Sequence, residues 1–158
     1  MSNTSAVAEL AAWWARAEQT GAVDLQPDEP AWSSGLRRAY QHEIRMELDA
    51  SRRELEAAAP ALPDDGFRRV AHLLDLRRQL RSSRAEGIHE VILAFGAFIE
   101  QVPREEASTL GRAHHVRGTA QLRILELNSA EASLMRALAL VTEEPARTWI
   151  LDGIGQPF

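Results

Sequence analysis

The stretch IHEVILAFGAFIEQV, Ile88 to Val102, decides the fold. Ile88, Val91, Ile92, Phe95, Phe98, Ile99 and Val102 recur at three- and four-residue steps, which gathers them along one side of a helix. A half-buried strand would alternate at every second residue, and this segment does not. Pro103 ends the helix or opens the next one.

The same periodicity spreads outward in both directions. Upstream, Phe67, Val70, Ala71, Leu73, Leu74, Leu76 and Leu80 cover more than half the circumference of a helix from Phe67 to Ser82, which predicts heavy burial. Asp64 or Asp65 is its expected cap, after a rigid connector made by Pro60 and Pro63. Trp32, Leu36, Tyr40, Ile44 and Leu48 follow at steps of four on an earlier helix, with Asp28 as cap and Pro30 in its first turn. That helix either breaks near Asp49 or runs on to Ala57–Ala59. A first helix, Ser5 to Thr20, carries Val7, Leu10, Trp13 and Trp14 and stops at Gly21, and Ala22 to Glu29 reads as a loop. Adjacent residues cannot share a helix face, so one of Trp13 and Trp14 is expected at a lobe boundary or subunit contact.

Downstream of Pro103 a helix is expected to His115 or Val116, with Gly118 separating it from Ala120–Leu127. Asn128 with Glu131 reads as a capping pair for Ser129–Thr142, whose buried side is Leu134, Met135, Leu138 and Val141. Pro145 starts a last helix through Ile150, and Gly153, Gly155 and Pro157 close the chain. Strand and hairpin signals are nearly absent, and no repeat or low-complexity tract is apparent. The expected fold is all-α, a helical bundle of six to eight helices in one domain over residues 1–158. Lobes at 1–85 and 86–158 are left open as a subdivision.

Composition sets the outer bounds. Hydrophobic residues make up 45% of 158 and charged residues 26%, which is globular rather than disordered composition. No cysteine is present, so disulfides and thiolate metal sites are excluded. The longest uncharged apolar stretch, Val91 to Ile99, is far short of the ~20 residues that span a bilayer. The first ten residues lack a basic run leading into an apolar one. A cytoplasmic protein without a membrane partner is expected.

Charge is unevenly placed. The net value is −5, yet residues 33–84 carry eleven Arg against eight acids, and Arg68 to Arg84 holds six Arg and one acid. All eighteen basic residues are Arg, which a GC-rich genome would produce without any functional cause. Arg is also the better residue for bidentate phosphate contact and for stacking on bases. The pairs Arg37-Arg38, Arg52-Arg53, Arg68-Arg69 and Arg77-Arg78 admit two readings. Either they pair with near neighbours such as Glu43, Glu47, Asp49 and Asp75, or they form a basic stripe that neutralises phosphates. On the second reading, charge reversal at Arg77 and Arg78 weakens nucleic-acid association and leaves helicity intact.

Catalytic signatures are missing: there is no nucleophile elbow, P-loop, dinucleotide fingerprint or zinc-protease motif. Glu86 and His89 have the spacing of a di-iron ligand pair, but no second such pair occurs, so no metal or other cofactor is expected. Adjacent His114 and His115 point about 100° apart on a helix and read as polar or interface residues, and His72 as half-buried structure. No catalytic residue is assigned, and the chain reads as a binding or assembly subunit, not an enzyme.

Five segments then resemble one family. They are the Trp-rich run Leu10–Trp14, the segment Gly35-Leu36-Arg37-Arg38-Ala39, the segment Thr109-Leu110-Gly111-Arg112-Ala113, the helix Leu122–Leu127 with Arg123, and Met135–Leu138. In this order they resemble the all-helical small subunit of CRISPR effector complexes, of the Cascade type I-E kind and its type IV relatives. The resemblance implies a non-catalytic subunit of an antiviral ribonucleoprotein that stacks with copies of itself along a filament of backbone subunits. It also implies that basic faces line the channel for the guide RNA and target nucleic acid, while base pairing supplies specificity. It carries over Arg37, Arg38, Arg112 and Arg123 as nucleic-acid contacts; the charge map adds Arg52, Arg53, Arg68, Arg69, Arg77, Arg78 and Arg81. The chain departs from the family in its acidic net charge and in Glu126, where the family carries more Arg. Both departures imply fewer nucleic-acid contacts. The rival readings are a helical protein adaptor or chaperone that docks through Trp14, Phe98 and Trp149, and a ferritin-like oxidase using Glu86 and His89.

Overall fold

A computed structural model of the chain describes residues 3–19 and 28–154, the side chains of residues 3 and 4 excepted. The expected stop at Gly21, most of the loop after it, and Gly155 and Pro157 lie outside the described residues. Eight α-helices and no strand occur among the described residues: α1 Asn3–Gln19, α2 Ala31–Ile44, α3 Leu48–Ala58, α4 Asp65–Ser82, α5 Ile88–Gln101, α6 Ala107–Arg123, α7 Leu127–Leu140 and α8 Ala146–Ile154. Short 3-10 turns, Ala59–Ala61 and Ala85–Gly87, join α3 to α4 and α4 to α5.

The apolar stripes became the core. Ile88, Val91, Ile92, Phe95, Phe98 and Val102 are buried along α5, and Phe67, Val70, Leu73, Leu74, Leu76 and Leu80 along α4. Together with Leu10, Trp13, Trp14, Leu36 and Tyr40 they form one apolar cluster that continues through Ala113 and Ala120 of α6. It runs without a break across residue 85. A smaller cluster, Ala137, Val141, Ala146 and Ile150, joins α7 to α8.

Both tryptophans of α1 are buried, so neither is left open for a subunit contact, while Trp14 reaches from the first half of the chain to Thr109 and Arg112 in the second. The helix sits in a trough with walls on two sides, so residues 100° apart each find a partner. Trp13 meets Phe67 of α4 edge to face at 6.5 Å. Trp14 meets Tyr40 of α2 at 6.3 Å and donates its indole N–H to Thr109 Oγ1 of α6 at 3.1 Å.

Two helical hairpins frame the bundle, α2–α3 and α6–α7, and the same turn closes both. Met46 and Leu125 take φ of 64° and 61°, the left-handed conformation that ordinarily favours glycine. Around each the hydrogen bonds repeat: Glu47 N–H donates to His42 C=O and Met46 N–H to Glu43 C=O, as Glu126 N–H does to Gln121 C=O and Leu125 N–H to Leu122 C=O. This structural repeat escaped the sequence reading because the two segments share few residues. It also settles α2, which ends at Ile44, leaving Ile44 42% exposed and not on the buried face.

Other boundaries moved for packing reasons. Gly118 lies inside α6 and does not break it, because α7 packs directly against it: a Cβ there would stand 2.9 Å from Leu134 Cγ. Asp64 caps α4, its Oδ1 accepting the Phe67 N–H at 3.0 Å. Neither Asp28 nor Asn128 caps a helix; Pro30 and Glu126 hold those positions, with no side-chain capping bond. Met135 is 50% exposed, and the small Ala137 takes the buried place on α7. His72 is exposed, with its ring edge-on to Phe98 at 5.0 Å.

Candidate nucleic-acid interface

The eleven candidate arginines do not form one stripe. Five of them bind carboxylates brought from elsewhere in the fold. Arg112 of α6 pairs with Glu18 of α1, both side chains 4% exposed; its Nε donates at 2.9 Å and its Nη1 reaches the Ser108 carbonyl at 2.9 Å. Its guanidinium also lies over the Trp14 ring at 5.1 Å. Arg37 binds Glu29 through Nε at 2.9 Å and through Nη2, while Ser33 Oγ donates to the same carboxylate at 2.7 Å. Although burial pushes the Glu29 carboxyl up, these hydrogen bonds and the Arg37 charge hold it below the usual carboxylate range.

Arg69 grips Glu106, the residue that precedes α6, through Nε at 2.9 Å and through Nη2. Arg77 of α4 donates from Nε to Glu43 of α2 at 2.7 Å and stands over the Tyr40 ring at 5.0 Å. Arg38 ties α2 to α3 through a two-point contact with Glu54 at 3.0 and 3.2 Å. Arg37 and Arg112, expected as nucleic-acid contacts, are buried, with their guanidinium groups held by carboxylates of the fold. Arg69 and Arg77 hold helices together in the same way. Reversal of Arg77 would strand the Glu43 carboxylate, which is 2% exposed, so that change tests stability and not binding.

The remaining six are less committed. Arg78 bonds Asp75 in its own helix at 2.7 Å and is 19% exposed. Arg68 and Arg52 make single-turn contacts with Asp65 and Asp49 on open surface, 57% and 52% exposed. Arg53 is exposed on α3. Arg81 is 41% exposed and reaches Glu43 only at 3.4 Å. Arg123 is exposed and makes one long bond, Nη1 to the Leu80 carbonyl at 3.4 Å.

Arg81 and Arg123 come together. With Arg77 behind them they line a cleft of about 500 Å³ between α2, α4 and α6, whose other walls include Met46, Leu80 and His115. Glu43 lies at its base, 1% exposed. Burial, with Arg77 and Arg112 nearby, pushes the His115 imidazole down to about 4, so it is neutral at neutral pH. Sequence reasoning missed Glu43, His115 and Met46 as cleft residues, since the cleft is assembled from three helices and no local spacing marks it.

The metal reading gains no geometry. Glu86 sits in a surface turn, His89 Nδ1 is 3.9 Å from Glu126, and no group of three or more metal-ligating side chains occurs among the described residues. His114 is buried, its Nδ1 3.1 Å from Arg117 Nη2. No described helix is long and apolar enough to cross a membrane. Of the residues of the adaptor reading, Trp14 and Phe98 are buried, whereas Trp149 is 39% exposed. Comparison with protein-family models, with curated proteins and with solved structures returns no match to this chain.

Proposed function

We propose that this chain is a non-catalytic helical small subunit of a CRISPR ribonucleoprotein, docked on a backbone filament in the cytoplasm and contacting guide RNA–target duplex or displaced strand through arginine. The observation that carries this reading is the convergence of Arg81 and Arg123, both exposed and under-used as donors, on one cleft. An exposed guanidinium with free N–H groups is the residue that reads phosphate without reading sequence. Arg52, Arg53 and Arg68 extend the exposed set on α3 and α4. A second support is that segments carrying the family resemblance pack on one another. Trp14, Thr109 and Arg112 meet in a single contact, and Leu36 and Ala39 join the same apolar cluster, so three of the five segments serve one core.

The partner-facing surface is assigned to α7 and α8, where Met135, Trp149 and Leu151 remain 50%, 39% and 45% exposed. Those same residues are what the adaptor reading would use if nucleic acid plays no part.

The test is fluorescence anisotropy of labelled single-stranded and duplex oligonucleotides on the purified protein at increasing salt. Affinity is expected to fall steeply with salt, and Arg81→Gln/Arg123→Gln to reduce the slope by about 2, one for each phosphate no longer neutralised. Circular dichroism controls for helicity. Binding that is absent at low salt, or a slope untouched by the double variant, sinks the proposal in favour of the adaptor.

A further inference from the structure

We propose that the cleft between α2, α4 and α6 is a pocket for a phosphomonoester carrying an apolar or planar group, the terminal phosphate of a nucleotide being the type ligand. The inference deepens the nucleic-acid reading of Arg81 and Arg123, and it distinguishes an end phosphate from the internal backbone.

Charge leads to this choice. Arg77, Arg81 and Arg123 face the cleft against a single carboxylate, Glu43. An internal phosphodiester offers one negative charge, whereas a phosphomonoester offers about −1.5 to −2 at neutral pH. Two uncompensated guanidinium charges therefore match the monoester. Donor capacity agrees. Arg77 is occupied by Glu43 and by the Tyr40 ring, and this grip keeps Glu43 at the base of the cleft. Arg81 is left with a long contact to Glu43, and Arg123 with one long bond to a carbonyl, so most of their N–H groups lack a short partner.

Shape agrees as well. A volume of about 500 Å³ exceeds what a lone phosphate fills and falls in the usual range for small-ligand pockets. Met46, Leu80 and Val116 supply apolar wall beside the arginines. Met46 is held there in the left-handed conformation at the tip of the α2–α3 hairpin.

Calorimetric titration compares a nucleoside 5′-monophosphate with the same nucleoside lacking phosphate. Anisotropy compares one oligonucleotide carrying a terminal phosphate at the 5′ end, at the 3′ end, or at neither. The monophosphate is expected to bind and the bare nucleoside not. Arg123→Gln should weaken binding at least tenfold with an unchanged melting temperature, because Arg123 holds no carboxylate of the fold. Binding that strengthens as pH rises through about 6 follows the second ionisation of the ligand. Mononucleotide binding identifies a free nucleotide as ligand; tight binding confined to one phosphorylated strand end identifies that end. Equal binding of strands with and without a terminal phosphate, with no mononucleotide binding, overturns the pocket and leaves the backbone-contact reading standing. Mononucleotide binding without strand binding does the reverse.

Discussion

Arg112 donates to the Glu18 carboxylate and to the Ser108 carbonyl while its guanidinium lies over Trp14. Removing Glu18 leaves this buried guanidinium only the looser contact with Glu143 at 3.7 Å, so Glu18→Ala is expected to lower stability by about 3 kcal/mol. Arg112→Met/Glu18→Leu together should recover most of that deficit, and Arg52→Ala on the open surface should cost under about 0.5 kcal/mol. Urea unfolding of the three variants measures the order. The histidines give a pH test. Burial, with Arg117 and Arg136 nearby, pushes His114 down to about 4, as burial with Arg77 and Arg112 does His115, from an ordinary 6.5. Both folded-state values lie below the unfolded ones, so at intermediate pH the unfolded chain takes up protons that the folded chain refuses. Stability is expected to be full above 6.5 and to fall as pH drops toward about 4. His115→Gln should flatten that slope in thermal melts taken between these limits. None of these pairings was visible in the sequence: the basic pairs could be seen, but Arg112 and Glu18 are 94 residues apart and no local spacing joins them.

At the scale of the helix, glycine separates close packing from open space. Gly118 and Gly111 sit where α6 touches α7; a Cβ at Gly111 would lie 2.5 Å from Val141 Cγ2, and one at Gly118 3.3 Å from the Ala130 carbonyl oxygen. Gly118→Ala is therefore expected to destabilise by about 1–3 kcal/mol, overpacking outweighing the gain in helix propensity. A Cβ at Gly96 on α5 meets nothing closer than Arg117 Nη1 at 3.9 Å, so Gly96→Ala should stabilise by about 0.5–1 kcal/mol. Melting temperatures that shift in opposite directions bear this out; shifts of the same sign contradict it. The stripe of α5 was readable because burial follows a period within one helix. The role of Gly118 was not, since glycine as breaker and glycine as contact point look alike until the neighbouring helix is in place. The turns at Met46 and Leu125 were hidden for a similar reason: neither residue is a glycine.

For the whole molecule, the all-α fold and the concentration of arginine could both be read from the chain, while the fate of that arginine could not. Whether a guanidinium meets water, phosphate or a distant Glu depends on which helices become neighbours. Ionic strength separates these classes. Salt is expected to act weakly on unfolding midpoints, because the strongest pairs are buried, and strongly on any nucleic-acid association, which depends on the exposed set. Parallel salt titrations of the two quantities check this, and equal sensitivity of both would mean that the buried pairs are opened by solvent.

The seat of α1 has a consequence for the order in which the molecule is made. Its indole bond to Thr109 and its ion pair to Arg112 span 95 and 94 residues, whereas each helical hairpin closes over a short turn. Closing so large a loop is entropically costly and slow relative to hairpin formation. Once synthesised, α1 thus has no finished berth until α6 follows it out of the ribosome. Until then Trp14 lacks Thr109 and Arg112 on the nascent chain, and its open side is a natural target for a ribosome-associated chaperone.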